Sequence, residues 1–142
     1  MIVEVERQER YWYPDDGGEV WVAGFQIVDA EGRYLGRREL PDGLKVTHVA
    51  GAVHRPDALA SELADPGEHL VLRPEPDNPH DPSAIAVDLA DGTPLGYVPR
   101  EHTHEVVGWS ALVLRERRRS PRDPRDGLTM LLAREPIELR IR

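Results

Sequence analysis

The sequence predicts a mainly β protein, a small and partly open barrel with two short α-helices and a β-hairpin extension at each end. Two apolar runs, 70–72 and 85–89, flank a proline-rich polar loop, and a turn at Asp91 and Gly92 leads into a third run at 95–98. Alternation of apolar and polar residues is typical of strands, and Gly and Pro between such runs are typical of turns. Three successive strands are therefore expected in the middle of the chain.

The segment 1–43 is predicted to form a leading β-hairpin extension that packs on the barrel. Apolar residues alternate weakly at 2–5, the aromatic cluster 11–13 runs into a turn at 14–18, and a strand at 20–28 is followed by a turn into 33–37. Trp12 and Trp21 are candidate base-stacking platforms. Packing in a core or an interface is the more usual role of aromatic residues in strands.

The segment 44–107 is predicted to be the core of one compact domain. It begins with an alternating strand at 44–49, and a short helix is expected at 56–64, where Pro56 stands in the first turn and Leu59 and Leu63 lie one turn apart. A second short helix is expected at 99–107. The expected core residues are Val46, Leu59, Leu63, Leu70, Leu72, Ile85, Val87, Leu95 and Val98.

The segment 108–142 is predicted to form a C-terminal hairpin, with strands at 110–114 and 128–133 and a last strand at 137–141. The intervening residues 115–127 hold six Arg and three acidic residues. We expect this loop to be a mobile, solvated hairpin tip. The alternative is a flap that contacts phosphates.

Charge and composition restrict the function. The 142 residues carry 26 acidic and 18 basic side chains, a net charge of −8, and no cysteine. An acidic surface weighs against non-specific coating of nucleic acid, so any DNA site must be small and local. The absence of cysteine excludes disulfides and thiolate metal sites. No signal-peptide pattern or membrane-length apolar run occurs, so a cytoplasmic protein without membrane contact is expected.

Catalytic and cofactor motifs are not found in the sequence. It contains neither G-x-x-x-x-G-K-[ST] nor G-x-G-x-x-G, so no nucleotide-phosphate loop of those types is expected. It has no G-x-S-x-G elbow. His102 and His104 would point apart on a helix, which weighs against a zinc site. We expect a protein that is not an enzyme and that holds no metal or cofactor.

The loop between the first two central strands is the candidate functional segment. Its four prolines, at 74, 76, 79 and 82, fix their own backbone angles and bias the preceding residues toward extended conformations. A stiff loop loses less entropy when a ligand binds. It presents Asp77, Asn78, His80 and Asp81 as hydrogen-bonding groups. The alternative interpretation is an ordinary turn stabilised by its own Asn and Asp side chains.

The order of residues in this segment resembles a known family. The run RPEPDNPHDPSAIAV at 73–87, followed by LGYVPRE at 95–101, closely resembles the two-part signature of the HIRAN domain, and the resemblance extends over about 44–107. It implies an OB-like or SH3-like β-barrel that binds single-stranded DNA at a free 3′ end. A role accessory to DNA repair or replication-fork processing, with a helicase or nuclease as a partner protein, is part of the same implication.

The resemblance also assigns roles to individual residues. Asp81 would accept a hydrogen bond from the 3′-hydroxyl, because a carboxylate accepts from a hydroxyl and repels a phosphate. His80 would stack on or hydrogen bond to the terminal nucleotide, and Asp77 and Asn78 would contact a base edge. The remaining assignments are stacking by His48, a pocket wall formed by Tyr97, and phosphate contacts by Arg100, Lys45 and Thr47.

Two functions of different classes therefore follow from the sequence. The first is a DNA-binding module that recognises a 3′-hydroxyl end. The alternative is a non-catalytic interaction or scaffold module that keeps the barrel without the DNA ligand, and the acidic net charge supports it.

Overall fold

The computed structural model of the protein describes residues 1–13 and 18–142. Of the predicted turn at 14–18, only Gly18 lies within the described residues. The strands are β1 (Ile2–Trp12), β2 (Val20–Ile27), β3 (Leu44–His48), β4 (His69–Pro74), β5 (Ile85–Leu89), β6 (Pro94–Tyr97), β7 (Ser110–Arg118), β8 (Arg125–Ala133) and β9 (Glu138–Ile141). The α-helix α1 spans Pro56–Ala60. No helix in the described ranges is both long and apolar enough to span a membrane.

The nine strands form one sheet, which confirms the predicted mainly β fold. The order along the sheet is β6-β5-β4-β7-β2-β1-β9, while β8 pairs with the other edge of β7 and β3 pairs with β8. The pairing between strands does not close this sheet into a barrel. A single antiparallel bridge joins Ala50, just after β3, to Tyr97 at the end of β6, through two backbone hydrogen bonds of 2.8 and 2.9 Å.

The β7–β8 hairpin lies at the centre of the fold and is buried on both faces. Side chains alternate between the faces of a strand. In β7, Ala111 and Val113 therefore enter one hydrophobic cluster, and Leu112 and Leu114 enter the other. The first cluster also takes residues from α1, β5 and β6, and the second takes residues from β1, β2 and β3. The β7–β8 hairpin, which was predicted as a C-terminal extension, thus lies between the two hydrophobic cores and contributes side chains to both.

Strand β7 has different neighbours along its length. Ala111 and Leu112 pair with β4, whereas residues 115–118 pair with β2 along the same edge. The register against β8 shifts between Val113 and Arg115. A β-bulge at this point bends the strand. Gly24 of β2 lies opposite, where a Cβ atom would clash with the Leu114 carbonyl oxygen. The bulge bends β7 and the glycine allows β2 to approach it closely. As a result, β4 and β2 pair with successive parts of the same edge of β7.

The predicted helices are shorter in the structure. The prediction of one helix at 56–64 is wrong beyond Ala60, because Ser61 has an extended backbone and its hydroxyl accepts a hydrogen bond from the Leu63 N–H, which begins a separate 3-10 turn. The predicted helix at 99–107 is only a 3-10 turn at Arg100–His102. There the Thr103 hydroxyl donates to the Arg100 carbonyl, a local bond that competes with helix propagation.

The Arg-rich segment 115–127 is mostly strand, which corrects its prediction as a loop. Residues 115–118 belong to β7 and 125–127 to β8, so the connection is 119–124. Arg125 has a side chain only 8% exposed, pairs with Glu116 at 2.9 Å and donates to the Leu59 carbonyl at 2.9 Å. This arginine anchors the hairpin to α1.

The other strand predictions agree closely with the structure, with one exception. The expected pairing of 33–37 with the strand at 20–28 is a single bridge between Val28 and Tyr34, and β2 pairs along its length with β1. Of the predicted core residues, Leu63 and Leu72 are partly buried and the other seven are buried. Val46 belongs to the second cluster, whose other members lie outside the segment from which the core was predicted.

Gly96 permits the contact that brings β6 beside the end of β3. A Cβ atom at this position would clash with the Ala50 carbonyl oxygen and lie 2.8 Å from Val49 Cγ1. Any side chain here would force the Ala50–Tyr97 bridge apart. The same bridge fixes the position of Tyr97, which lines the site described below.

Gly96→Ala is therefore expected to destabilise the protein by about 1–3 kcal/mol, the usual cost of overpacking. Urea unfolding measures this loss. Gly127→Ala is the matched control, because Gly127 is also in a strand and its new methyl group would lie 3.4 Å from the flexible Arg117 side chain. Equal stability of the two variants would contradict the packing argument.

Candidate nucleic-acid interface

The loop joining β4 to β5 forms one wall of an open depression of about 590 Å³, which we call the loop pocket. A hydrogen bond of 2.9 Å from the Glu75 N–H to the Ala84 carbonyl closes the loop at its base. The pocket is lined by Glu75, Asn78, His80 and Tyr97, together with neighbouring loop residues. Prolines alternate with these polar residues, so the wall combines stiff backbone with exposed polar groups.

Asn78 organises the loop from within. Its Oδ1 accepts hydrogen bonds from the backbone N–H groups of His80 (2.9 Å) and Asp81 (3.0 Å), and its Nδ2 donates to Glu75 Oε1 at 3.0 Å. An amide side chain is needed, because only an amide both donates and accepts in this way. With these bonds in place, Asn78 acts mainly as a positioning residue.

The Glu75 carboxylate joins the loop to β6. Its Oε1 accepts from Asn78 Nδ2 and from the Tyr97 hydroxyl (2.9 Å), and its Oε2 pairs with Arg73 at 3.1 Å. The hydrogen bonds from Asn78 and Tyr97, followed by those from Arg73, lower the pKa of Glu75 below its usual range. The hydrogen bond between the Tyr97 hydroxyl and Glu75 raises the pKa of Tyr97. The tyrosine is thereby held as a neutral donor across the pocket from the loop.

Arg73 connects this network to the sheet. Its Nε donates to Asp88 Oδ2 at 2.8 Å, and Asp88 lies in β5 with 5% of its surface exposed. A buried carboxylate is tolerated only when a cation or hydrogen-bond donors compensate it. The bonds to Asp88, and then to Glu75, raise the pKa of the Arg73 guanidinium. The loop pocket is therefore tied to an ion pair inside the sheet.

Asp81 borders the loop pocket, one residue beyond His80. Its Oδ1 accepts from the Ser83 N–H at 2.9 Å, and its Oδ2 lies 3.5 Å from the Arg100 Nε. The Asp81 side chain is 24% exposed and that of Arg100 is 81% exposed. Asp77 and His80 are exposed on the same loop. The sequence-predicted residues Asp77, Asn78, His80, Asp81, Tyr97 and Arg100 therefore lie together around this loop.

The three predicted residues of β3 are placed differently. Thr47 is 3% exposed, so its hydroxyl is removed from the surface on which a phosphate contact was predicted. Lys45 pairs with Glu105 at 3.0 Å. His48 is exposed, but it lines two depressions shared with Arg117 and Thr129 on the far side of the Ala50–Tyr97 bridge. None of the three lines the loop pocket.

Sequence reasoning did not identify the network that shapes the pocket. Glu75, Arg73 and Asp88 were not among the predicted site residues, although one signal was available. Asp88 interrupts the otherwise apolar strand Ile85–Leu89, and a charge in such a strand requires a partner. Within residues 1–13 and 18–142, no group of three His, Asp or Glu side chains is arranged to hold a metal ion.

Asn78→Asp tests the organising role of the amide. The new carboxylate keeps the shape and the acceptor but faces Glu75 Oε1 where a donor was 3.0 Å away. We expect a loss of about 1–3 kcal/mol at neutral pH. The loss should shrink as the pH falls through the acidic range, because one carboxyl of the pair then holds a proton and donates. Thermal unfolding of variant and wild type across pH measures this, and a loss independent of pH would contradict it.

A comparison with known families identifies the domain. Residues 43–110 match the family model of the HIRAN domain. Comparisons with curated proteins and with solved structures each gave no match. The matched range contains the whole loop pocket, Asp81 and Arg100, and the HIRAN domain is a single-stranded DNA-binding domain. Residues 43–110 of this chain therefore form a HIRAN domain.

Proposed function

We propose that this protein is a non-catalytic module that binds single-stranded DNA at a free 3′-hydroxyl end. The observation that carries the proposal is the partly exposed Asp81 carboxylate beside the loop pocket, paired with an exposed arginine. The membership of residues 43–110 in a DNA-binding family supports it.

The Asp81 carboxylate has the chemistry to distinguish a hydroxyl from a phosphate. Each of its oxygens has one partner, Ser83 N–H or Arg100 Nε, and a carboxylate oxygen has lone pairs for a second donor. A 3′-hydroxyl would donate a hydrogen bond to one of these remaining lone pairs. A phosphate at the same place, whether terminal or continuing the chain, has no proton to donate near neutral pH and would be repelled.

Arg100 supplies a phosphate contact next to this selective group. Its pair with Asp81 is long, at 3.5 Å, and its side chain is 81% exposed. An exposed ion pair of this kind contributes only about 0–1 kcal/mol. The guanidinium can therefore turn to a DNA phosphate at little cost, while its remaining donors stay near Asp81.

The other pocket residues supply stacking surface and rigidity. His80 and Tyr97 are exposed rings on the loop and on β6. Rings of this type stack on bases without strong sequence preference. Asn78 and Glu75 hold the loop in one conformation before DNA arrives, which lowers the entropy lost on binding. A single local site of this kind is compatible with an acidic protein.

An accessory role completes the proposal. The sequence contains no G-x-x-x-x-G-K-[ST] loop, which fits a module that leaves ATP-driven strand separation to a separate helicase at the same DNA end. A separate nuclease is the other partner we propose. DNA repair or replication-fork processing is the context in which a free 3′ end needs such a module.

Asp81→Asn provides the direct test. The asparagine keeps an acceptor for the Ser83 N–H but removes the charge. Fluorescence anisotropy with one strand carrying either a 3′-hydroxyl or a 3′-phosphate should show a hydroxyl preference of roughly tenfold or more in the wild type. We expect the variant to lose most of this preference by binding the phosphate end more tightly.

Asp91→Asn is the matched control, because Asp91 makes the same kind of turn, accepting from the Thr93 N–H at 3.0 Å outside the loop pocket. It should keep the wild-type preference. Equal binding of both ends by the wild type would overturn end recognition while leaving DNA as the ligand. No binding at low salt, where electrostatic attraction is strongest, would favour the interaction module instead.

A further inference from the structure

A second concave surface lies outside the loop pocket and is lined by arginines. It is a depression of about 510 Å³, which we call the arginine groove. Its charged and aromatic lining residues are Arg10, Trp12, Arg37, His48, Arg115 and Arg117. These residues come from β1, β3, β7 and the segment after β2. All of them except His48 lie outside the family match at 43–110.

The positive charge of this groove is largely uncompensated. Within residues 1–13 and 18–142, no ion pair involves Arg10, Arg37 or Arg115. Arg115 is partly buried, and its Nη1 donates to the Phe25 carbonyl at 2.9 Å. Its burial, and then the nearby cations of Arg10 and Arg37, lower the pKa of Arg115 to about 10. The guanidinium groups of Arg10 and Arg37 thus line the same groove as Arg115 and disfavour its charged form.

The opposite face of the same strand shows that this arrangement is local. Side chains alternate along β7, so Arg115 and Arg117 lie on one face while Glu116 and Arg118 lie on the other. There Glu116 pairs with both Arg118 and Arg125. On the groove face Arg117 pairs with Asp126 at 3.1 Å, whereas Arg10, Arg37 and Arg115 have no carboxylate partner within residues 1–13 and 18–142. This part of an acidic chain therefore keeps a local positive charge suited to an anion.

The lining chemistry fits a nucleic-acid strand. Guanidinium groups present several N–H donors in a plane and bind phosphates in forked geometry. Trp12, 48% exposed, lies in the groove beside Arg10. An exposed indole next to cations provides a stacking surface for a base. The groove therefore offers donors for phosphates and an indole surface for a base.

The backbone at the end of β3 connects the arginine groove to the loop pocket. His48 lines the groove, and two residues further along the chain Ala50 is hydrogen bonded to Tyr97, which lines the pocket. Two residues of extended chain span about 7 Å. A DNA strand that leaves the loop pocket past Tyr97 would therefore have only a short distance to span before His48 and the groove.

We propose that the arginine groove binds the backbone phosphates of the DNA single strand, upstream of the 3′ end held at the loop pocket. This inference rests on the proposed function for its ligand and extends the binding surface to the N-terminal and C-terminal segments. It also explains how an acidic protein would hold more than a terminal nucleotide.

The test compares two double variants that change the net charge equally. Arg10→Gln with Arg37→Gln removes exposed groove arginines, whereas Arg38→Gln with Arg119→Gln removes exposed arginines that line no depression described above. Each protein is titrated with 3′-hydroxyl strands of about four and about sixteen nucleotides over a range of salt concentrations. Circular dichroism confirms that both variants are folded.

For the long strand, the groove variant should bind roughly three- to tenfold more weakly at low salt. The slope of log K against log salt should fall by about 1.4, because each phosphate contact in a single strand contributes about 0.7. The control variant should keep the wild-type slope. The short strand should bind both variants like the wild type and keep its preference for a hydroxyl end.

Other outcomes separate this proposal from the proposed function. Equal losses in the two variants, or no change in slope, would overturn the groove while leaving end recognition intact. A reduced slope in the groove variant, combined with equal wild-type binding of hydroxyl and phosphate ends, would support the groove and overturn end recognition. Failure of the wild type to bind either strand at low salt would overturn both and direct attention to an acidic protein partner.

Discussion

The carboxylate of Glu75 is the group on which the candidate site depends. It accepts hydrogen bonds from the Asn78 amide and the Tyr97 hydroxyl while it pairs with Arg73, so one side chain joins the loop, β6 and the sheet. Arg73 in turn compensates the buried Asp88. The loop conformation is therefore linked to a charge inside the fold. A ligand that meets this loop meets a surface whose geometry is already fixed.

The central hairpin distributes charge as well as hydrophobic surface. Its apolar residues belong to two hydrophobic cores. In the following part of β7, Arg115 and Arg117 lie on one face and Glu116 lies on the other. The glutamate anchors Arg125 and so fixes the hairpin to α1. Arg115 faces Arg10 and Arg37 instead. Positive charge is thereby concentrated in one groove of a chain whose net charge is −8.

The sequence was informative where local pattern decides structure. Alternation located most strands, and the ordered motif at 73–101 located the loop pocket and its family. The short helices were overestimated, because the local side-chain hydrogen bonds of Ser61 and Thr103 compete with helix propagation and a short helix has little cooperativity to resist them. The arginine groove could not be predicted, because Arg10, Arg37 and Arg115 are brought together only by the pairing of distant strands. The burial of Thr47 depends on the same tertiary packing.

The most direct measurement of the central claim is an NMR titration of the labelled protein with a short single strand bearing a 3′-hydroxyl. The backbone amides of His80, Asp81, Ser83 and Tyr97 surround the proposed end site, and their resonances should shift together and saturate with one strand per protein. The amides of the turn at Asp91 and Gly92 should stay unchanged. Shifts confined to the arginine groove, with the loop unaffected, would contradict the claim that the loop reads the DNA end.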